Sequence, residues 1–365
     1  MNEQRRPPNR FHSLAHLVAP ARVRESLALA PSPAWRSGLL AGAQVAVATL
    51  LAFAFTHATP WADAAGFACL GALAALFGRF DAPGQRPRTL VLSALLLVAP
   101  IALVSAATLS AAPMGLLLLL LGLVAGVLVL LAQVWRLGPP GATIFFFAAS
   151  AALAPAQDWA TVGQRSALAA LGALIALLVC SLSERWRPRR AGPPPAPAGR
   201  GMLRSAVRLG AVTACAGLLA HALGLPYPAW AAIGALAVLQ GAGLHIVMQR
   251  ALQRMAGTVL GVGLAALVFA AEPGLWHLLL AVLVLQVVTE VVIGLNYSLG
   301  QITVTPMALL MSSLSAPAGA AAMPSARLLD TVVGVAVGVG LSLLLSSLEE
   351  RRALAEHHAR SRASA

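Results

Sequence analysis

Apolar residues follow one another along this chain in long stretches, which short polar or proline-containing segments separate. A helix that crosses a bilayer needs about 20 apolar residues, with a range of roughly 17–25. The twelve stretches that fit this requirement are residues 37–57, 61–78, 89–110, 113–133, 139–155, 164–183, 203–223, 228–247, 255–271, 274–294, 298–314 and 326–348. The pattern therefore predicts an all-α polytopic membrane protein with about twelve transmembrane helices.

Composition agrees with this prediction, because 59% of the residues are apolar and only 10% are charged. Soluble domains carry about 25% charged residues, which they need on the surface that faces water. This composition excludes a soluble enzyme and a nucleic-acid-binding protein, although the net charge is +13. The sequence contains no Walker loop, HExxH motif or nucleophile elbow. We therefore expect no enzymatic activity, no cofactor and no metal site.

Every basic residue is an arginine, and the arginine positions predict how the chain is oriented. Loops on the cytoplasmic side of a membrane carry an excess of Arg and Lys. If both termini are cytoplasmic and the helices alternate, only Arg165 and Arg327 fall on the outer side. The predicted parts are a basic tail that can form an interfacial helix (1–36), a first six-helix repeat (37–183), a basic proline-rich linker (184–202), a second six-helix repeat (203–348) and a cytoplasmic tail (349–365).

The two halves share spacings of arginine, tryptophan and glycine. Arg36 precedes Trp61 by 25 positions, and Arg204 precedes Trp230 by 26. Arg165 precedes Gly172 by 7 positions, and Arg327 precedes Gly334 by the same 7. Because six spans are an even number, the two halves have the same orientation, and the predicted repeat is parallel. Transporters built in this way commonly bind their substrate between the halves, near the middle of the membrane.

The second half carries a series of motifs in a fixed order. They are PYPAW (226–230), VLQ (238–240), QRALQRMAGT (249–258) with Gly261, Glu290, Asn296-Tyr297, Thr305-Pro306 and RLLDT (327–331) with Gly334. In this order the chain resembles the fusaric acid resistance protein family of aromatic acid exporters, well over 201–348 and weakly over 36–183. The resemblance implies proton-driven export of aromatic or other organic acids through a bacterial inner membrane by a homo-oligomer, such as a dimer.

The first half departs from the motifs of the second at two positions. Leu168 stands where Asp330 stands in the second half, and Pro139-Pro140 stands where Asn296-Tyr297 does. The two halves are therefore not expected to contribute equally to function.

Glu290 is an ionisable residue within an apolar stretch, where a charge is costly and points to function. A carboxyl that takes up and releases a proton is what coupling to a proton gradient requires. One alternative is a structural carboxyl that is hydrogen-bonded to a neighbouring helix. Another is a carboxyl that reaches the cytoplasmic interface, which is about one turn away.

Five further charged residues are candidates for attracting anions or for pairing with each other. Arg327 and Asp330 are three positions apart and share a helix face, so they predict either an ion pair at the helix end or an anion-attracting site. Arg165 lacks an acidic partner at the equivalent position and is expected to be the more exposed cation. Arg250 and Arg254 share a helix face at the cytoplasmic side. They predict either a site that attracts carboxylates or a basic loop that only fixes the orientation of the chain in the membrane.

Uncharged polar residues on the second-half spans form another set of pathway candidates, for which interhelical hydrogen bonds are the alternative explanation. They are Gln240, Gln286, Asn296, Tyr297, Gln301, Thr303 and Thr305. Pro306 follows the last three and is predicted to break its helix, which frees backbone groups for a ligand. Residues 296–306 are thus the predicted binding segment. The aromatic residues Tyr227 and Trp230 fall near the outer interface, where belts of such side chains are common.

Three functions remain open from the sequence. The first is a proton-coupled secondary transporter that exports organic acids, with the lipid bilayer and a small organic acid as its partners. The second is a passive channel for organic anions, and the third is a membrane scaffold or accessory subunit without transport. Replacing Glu290 by Gln distinguishes the first two, because a channel conducts without a proton-binding carboxyl.

Overall fold

The computed structural model of the protein describes residues 35–82, 84–187, 201–240, 244–315, 322–346 and 354. The regular structure within these ranges is entirely helical. The twelve α-helices are α1 (Trp35–His57), α2 (Ala65–Ala72), α3 (Arg86–Thr108), α4 (Met114–Val134), α5 (Ala142–Ala151), α6 (Trp159–Leu182), α7 (Met202–Ala222), α8 (Pro228–Leu239), α9 (Leu244–Ala270), α10 (Leu275–Val292), α11 (Tyr297–Ser315) and α12 (Met323–Leu344). The predicted interfacial helix of the N-terminal tail, most of the linker and most of the C-terminal tail lie outside the described residues.

Eight of these helices are long and apolar enough to cross a membrane, namely α1, α3, α4, α6, α7, α9, α10 and α12. Three apolar segments are shorter: α2 with its flanking 3-10 turns (Ala62–Leu76), α5 and α8. A helix as short as α8 extends only about 18 Å, whereas the hydrocarbon core of a bilayer is about 30 Å thick. The protein is thus an all-α, multi-pass membrane protein. Eleven of the twelve predicted apolar stretches overlap one α-helix each, and 228–247 overlaps α8 and the first turn of α9.

The boundary between the second and third helices of the second half differs from the prediction. α8 already ends at Leu239, and α9 begins at Leu244, eleven positions before the predicted span. Arg250 and Arg254 therefore lie on a helix and not in the loop that was expected. The apolar pattern misses these first turns because their polar side chains face other helices, and Arg254 is buried in the protein.

The helices of each half contact one another in the same pairs. In the first half α6 packs against α2 and α3, and in the second half α12 packs against α8 and α9. Glycines make the closest of these approaches possible. A Cβ on Gly172 would collide with the Ala68 carbonyl, and a Cβ on Gly334 would collide with the Ala231 carbonyl. Between the halves, α1 packs against α10 and α4 packs against α7.

Contacts near the helix ends define two ends of the bundle. His57 at the end of α1 meets Trp276 at the start of α10, with ring centroids 5.6 Å apart. At the opposite end, the Arg86 guanidinium at the start of α3 lies 3.0 Å from the Glu184 carboxylate that follows α6. We call this second end, which also carries Arg79, the basic end.

Candidate functional site: a buried arginine cluster in the second half

Two glycines bring α9 and α11 close together in the second half. A Cβ on Gly257 would lie 2.6 Å from the Ser298 carbonyl oxygen, and one on Gly261 would lie 2.9 Å from the Ile302 carbonyl oxygen. Small residues at this spacing let the backbones of membrane helices approach each other closely. The polar side chains on the facing surfaces of α9 and α11 consequently come within hydrogen-bonding distance.

Arg254 of α9 uses this close approach to bind two side chains of α11. Its Nη1 atom donates to the Tyr297 hydroxyl at 3.3 Å and to the Gln301 Oε1 atom at 3.2 Å. Only 3% of Arg254 is exposed, and its Nε atom has no hydrogen-bond partner among the described residues. The guanidinium thus keeps a free donor in the interior of the protein.

Arg327 of α12 supplies a second buried guanidinium. It lies over the indole ring of Trp230 on α8, with the guanidinium carbon 5.2 Å from the ring centroid. Arg327 is 3% exposed, and within the described parts of the chain its Nε and Nη1 atoms have no acceptor. Its charge interacts with those of Arg254 and Asp330. The two guanidinium groups therefore belong to one electrostatic environment.

Asp330 is the acidic member of this group and is fully buried. Neither of its carboxylate oxygens has a hydrogen-bond donor among the residues described, so no hydrogen bond supports the ion pair that was one of the two expectations for Arg327 and Asp330. The hydroxyl groups of Thr258 and Thr305 are also buried without a partner in the described ranges. We name Arg254, Tyr297, Gln301, Arg327 and Asp330 the arginine cluster. It combines two cations, one anion and several unsatisfied polar atoms.

The charges and unpaired polar atoms of the arginine cluster determine what kind of ligand it can bind. Buried polar groups normally have hydrogen-bond partners, and leaving a buried charge unpaired is expensive. Guanidinium groups bind carboxylates with two parallel hydrogen bonds. The cluster is therefore suited to receive an anion. We find no group of three His, Cys, Asp or Glu side chains in the described residues that suits a metal ion.

The equivalent arginine of the first half has a different environment. Arg165 of α6 lies over the ring of Phe67 at 5.3 Å, much as Arg327 lies over Trp230. Its Nη1 and Nη2 atoms, however, donate to the carbonyl oxygens of Ala154 at 2.7 Å and Pro155 at 3.2 Å. Arg165 is 8% exposed against 3% for Arg327, so it is the more exposed of the two, as expected, although both are buried. The segment before α6 folds back over this guanidinium and satisfies it.

Glu290 lies away from the cluster, at the basic end and between the two halves. Its Oε2 atom is 3.3 Å from the Nη1 atom of Arg79, which follows α2. The same Arg79 also donates to the Ser37 hydroxyl at 3.1 Å. Burial lowers the pKa of the Arg79 guanidinium, and the charge of Glu290 acts in the opposite direction. Glu290 is thus a paired carboxyl that joins α10 to the first half.

Two of the predicted pathway residues cap helices. With its amide oriented to suit its neighbours, Gln240 accepts hydrogen bonds from the backbone N–H groups of Ala142 at 3.2 Å and Thr143 at 2.9 Å, at the start of α5. Asn296 accepts from the Ser298 backbone N–H at 2.7 Å, at the start of α11. Both side chains satisfy amides that a helix leaves unpaired in its first turn.

Two more predicted residues form hydrogen bonds between helices. Gln286 on α10 donates to the Thr49 hydroxyl on α1 at 3.1 Å. Thr303 on α11 accepts from the Thr289 hydroxyl on α10 at 2.7 Å. Five predicted residues thus have their described partners outside the arginine cluster, namely Gln240, Gln286, Thr303, Arg165 and Glu290. Asn296 directly precedes Tyr297, a member of the cluster.

Arg250 stays close to the arginine cluster and near the basic end. It is half-buried, and its guanidinium carbon lies 5.8 Å from the centre of the Tyr297 ring. It lies one turn of α9 from Arg254, towards the basic end.

Two expectations about this region need correction. Pro306 does not break its helix, because α11 continues from Tyr297 to Ser315 through the proline. A neighbouring helix can accommodate a proline of this kind, and here the Pro306 ring faces Gly261 of α9. Trp230 is not an interface residue, since it is 9% exposed and lies under Arg327.

Sequence reasoning assigned no role in a site to three residues that shape these sites, namely Trp230, Thr258 and Arg79. The repeat holds a signal for the first of them. Phe67 and Trp230 each pair with the arginine that precedes the matching glycine of α6 or α12. No comparable sequence signal connects Arg79 to Glu290, which lie in different halves of the chain.

Comparison with known proteins bears on the half that holds the cluster. Residues 214–341 match the family described as fusaric acid resistance protein-like. This part of the chain is thus similar to that family. This confirms the resemblance drawn from the motifs, and the matched range includes all five residues of the arginine cluster.

One curated relative is also similar to the chain. The uncharacterized membrane protein YvaC of Bacillus subtilis (strain 168) is 34% identical over 145 residues. This match covers 40% of the present chain and 23% of YvaC, so the chain matches about a quarter of that relative. No solved structure matches the chain.

Proposed function

We propose that the protein is a secondary transporter of the bacterial inner membrane that exports aromatic or other organic acids in exchange for protons. The observation that carries this proposal is the arginine cluster, in which two buried guanidinium groups have unsatisfied donors and one of them, Arg327, interacts with the buried carboxylate of Asp330. An organic acid brings a carboxylate that satisfies these donors. The match of 214–341 to a membrane transport family supports the same conclusion.

The substrate carboxylate binds between Arg254 and Arg327 in this proposal. Tyr297 and Gln301 hold Arg254 in position from α11, and Trp230 supports Arg327 from α8. Short hydrophobic segments at corresponding positions of two halves often mark a transporter's binding site. α2 and α8 are such a pair, and α8 forms one wall of the cluster. The site thus lies within the second half and not between the halves.

We further propose that the twelve helices form two parallel repeats with both termini in the cytoplasm. The equal helix pairings of the two halves support the repeat. The arginines at the basic end support the orientation, because cytoplasmic loops are enriched in such residues. Reporter fusions at positions 158 and 195 test the orientation: a periplasmic signal at 158 and a cytoplasmic one at 195 are expected.

Proton coupling is assigned in this proposal to Glu290. A proton on its carboxylate removes the charge that holds Arg79 at 3.3 Å, and so loosens a contact between the halves. Such a change is suited to couple proton uptake to a movement of one half against the other. It also gives Arg79 a role that a passive channel does not need.

The test is efflux of radiolabelled benzoate from cells that express equal amounts of each variant. Arg254→Gln and Arg327→Gln are expected to reduce saturable efflux about ten- to a hundredfold, because each removes charged hydrogen bonds to the substrate. Arg88→Gln, which changes an exposed arginine near the basic end, is the matched control and is expected to have no effect. Equal efflux in all four proteins would contradict the proposed site.

The coupling is tested in the same assay with an uncoupler and with Glu290→Gln. A proton-coupled exporter loses concentrative efflux in both cases. Efflux that continues in both would indicate the passive anion channel instead.

A further inference from the structure

Asp330 is a buried charge for which the transport proposal does not yet account. It is fully buried on α12, one turn from Arg327, and both its oxygens lack a hydrogen-bond donor within the described residues. A carboxylate in such a position is costly, so its presence needs a reason. The inference below rests on the proposed function and concerns the same site.

The first half indicates that packing alone does not require an acid here. Leu168 occupies the equivalent position on α6 and is 2% exposed, next to an arginine whose donors are satisfied by backbone carbonyls. The same turn of the repeat is therefore built with an apolar side chain. An acid occurs only in the half with two unsatisfied guanidinium groups.

The formal charges of the cluster define which ligand neutralises it. Arg254 and Arg327 contribute two positive charges and Asp330 contributes one negative charge, which leaves a single positive charge. Electrostatic interactions are strong in a low-dielectric interior, and an uncompensated buried charge is penalised. A monovalent anion brings the cluster to neutrality, whereas a divalent anion leaves an excess negative charge beside Asp330.

We propose that Asp330 determines the valence of the transported anion, so that the site accepts monocarboxylates and rejects dicarboxylates. Asp330 excludes a second carboxylate by like-charge repulsion and by engaging Arg327 electrostatically. Rejection of wrong ligands by repulsion is a general way to obtain specificity. Without Asp330, the two guanidinium groups match a dianion.

The test compares benzoate with terephthalate, two aromatic acids that differ by one carboxylate, in purified full-length protein. Uptake is measured in proteoliposomes, and binding is measured independently as stabilisation against heat. Wild type is expected to prefer benzoate in both assays. Asp330→Asn is expected to shift the ratio of benzoate to terephthalate by about tenfold or more towards terephthalate, because the repulsive charge is absent.

Three further variants separate charge from structure. Asp330→Glu keeps the charge and should keep the preference for benzoate. The double variant Arg254→Gln/Asp330→Asn again has a single positive charge, so its ratio of benzoate to terephthalate should shift back towards benzoate. General damage to the fold does not produce this result. Asp158→Asn removes an exposed carboxylate outside the cluster and should leave the ratio unchanged.

The outcomes distinguish this inference from the function on which it rests. If benzoate is transported and Asp330→Asn keeps the wild-type ratio, the proposal that Asp330 selects monovalent anions is overturned, whereas the proposed transport function is retained. Wild type that binds terephthalate as well as benzoate overturns it too, even if the variants fail to fold. If wild type neither binds nor transports either acid, both proposals fail.

Discussion

The Nη1 atom of Arg79 lies 3.3 Å from the Oε2 atom of Glu290 and 3.2 Å from its carbonyl oxygen. Arg79 follows α2 in the first half, whereas Glu290 lies in the last turns of α10 in the second. This ion pair therefore connects the halves at the basic end. Gly38 of α1 permits the arrangement, because a Cβ there would lie 3.1 Å from the Arg79 Nη2 atom.

A double-mutant cycle measures how strongly this pair couples the two halves. Both groups are largely buried, so Arg79→Met and Glu290→Gln each leave a partner without its counter-charge. We expect the double variant to lose less free energy of unfolding than the sum of the two single losses, and the difference should be about 0.5–3 kcal/mol. Thermal unfolding in detergent gives the four values. Additive effects, like those expected for Arg88→Met with Glu290→Gln, would mean that the pair is not coupled.

The contact between α2 and α6 depends on Gly172. A methyl group at this position would overlap the Ala68 carbonyl, so Gly172→Ala must push the two helices apart. We expect a loss of about 1–3 kcal/mol in the free energy of unfolding, as is usual for overpacked interiors. Gly163→Ala is the matched control on the same helix, since nothing lies within 4 Å of its Cβ. Similar stability of the two variants would contradict this packing.

Gln240 is expected to act on stability and not as part of the substrate pathway. Gln240→Leu removes the acceptor for the first amides of α5, and we expect a loss of about 1 kcal/mol. Gln240→Glu keeps an acceptor and should retain most of the stability. Denaturation of purified protein and benzoate efflux are measured side by side. Loss of efflux in both variants at unchanged stability would indicate instead that Gln240 is part of the substrate pathway.

Asp158 caps the start of α6 and makes the stability of the protein depend on pH. Its Oδ1 atom accepts from the Thr161 hydroxyl and from the Thr161 backbone N–H, each at 2.7 Å. These hydrogen bonds lower the pKa of the Asp158 carboxyl, the hydroxyl contributing most. The folded-state pKa is thus below the unfolded one of about 3.9. The stabilisation is complete above that value and is lost as the pH falls through the lower, folded-state pKa.

The measurement is the Tm of wild type and Asp158→Asn as the pH is lowered from about 5, above the unfolded carboxyl pKa. The difference between the two proteins should shrink as the pH falls. Thr161→Val, which lacks the hydroxyl donor, should show a smaller change than wild type. A difference that is independent of pH would argue against the cap.

The apolar pattern could predict that this is a membrane protein and where each described helix lies, but it did not predict all the helix bounds. Burial in lipid requires a long apolar segment, and this requirement is met within each segment by itself. The start of α9 escaped the prediction because Arg254 and its neighbours are buried against protein. Here the polar pattern reflects contacts with α11 and α12, which a hydropathy profile does not contain.

The sequence by itself determined that this is a multi-pass helical protein and which ionisable groups lie among its apolar helices. The tertiary structure decided which of those groups meet. Arg254 and Arg327 share one environment because glycines let α9 approach α11 and α12 approach α8. Glu290 is paired with Arg79 because α10 packs on α1 of the other half. The physical reason is that hydrophobic length is a local property, whereas the partners of a buried charge depend on how closely distant helices pack.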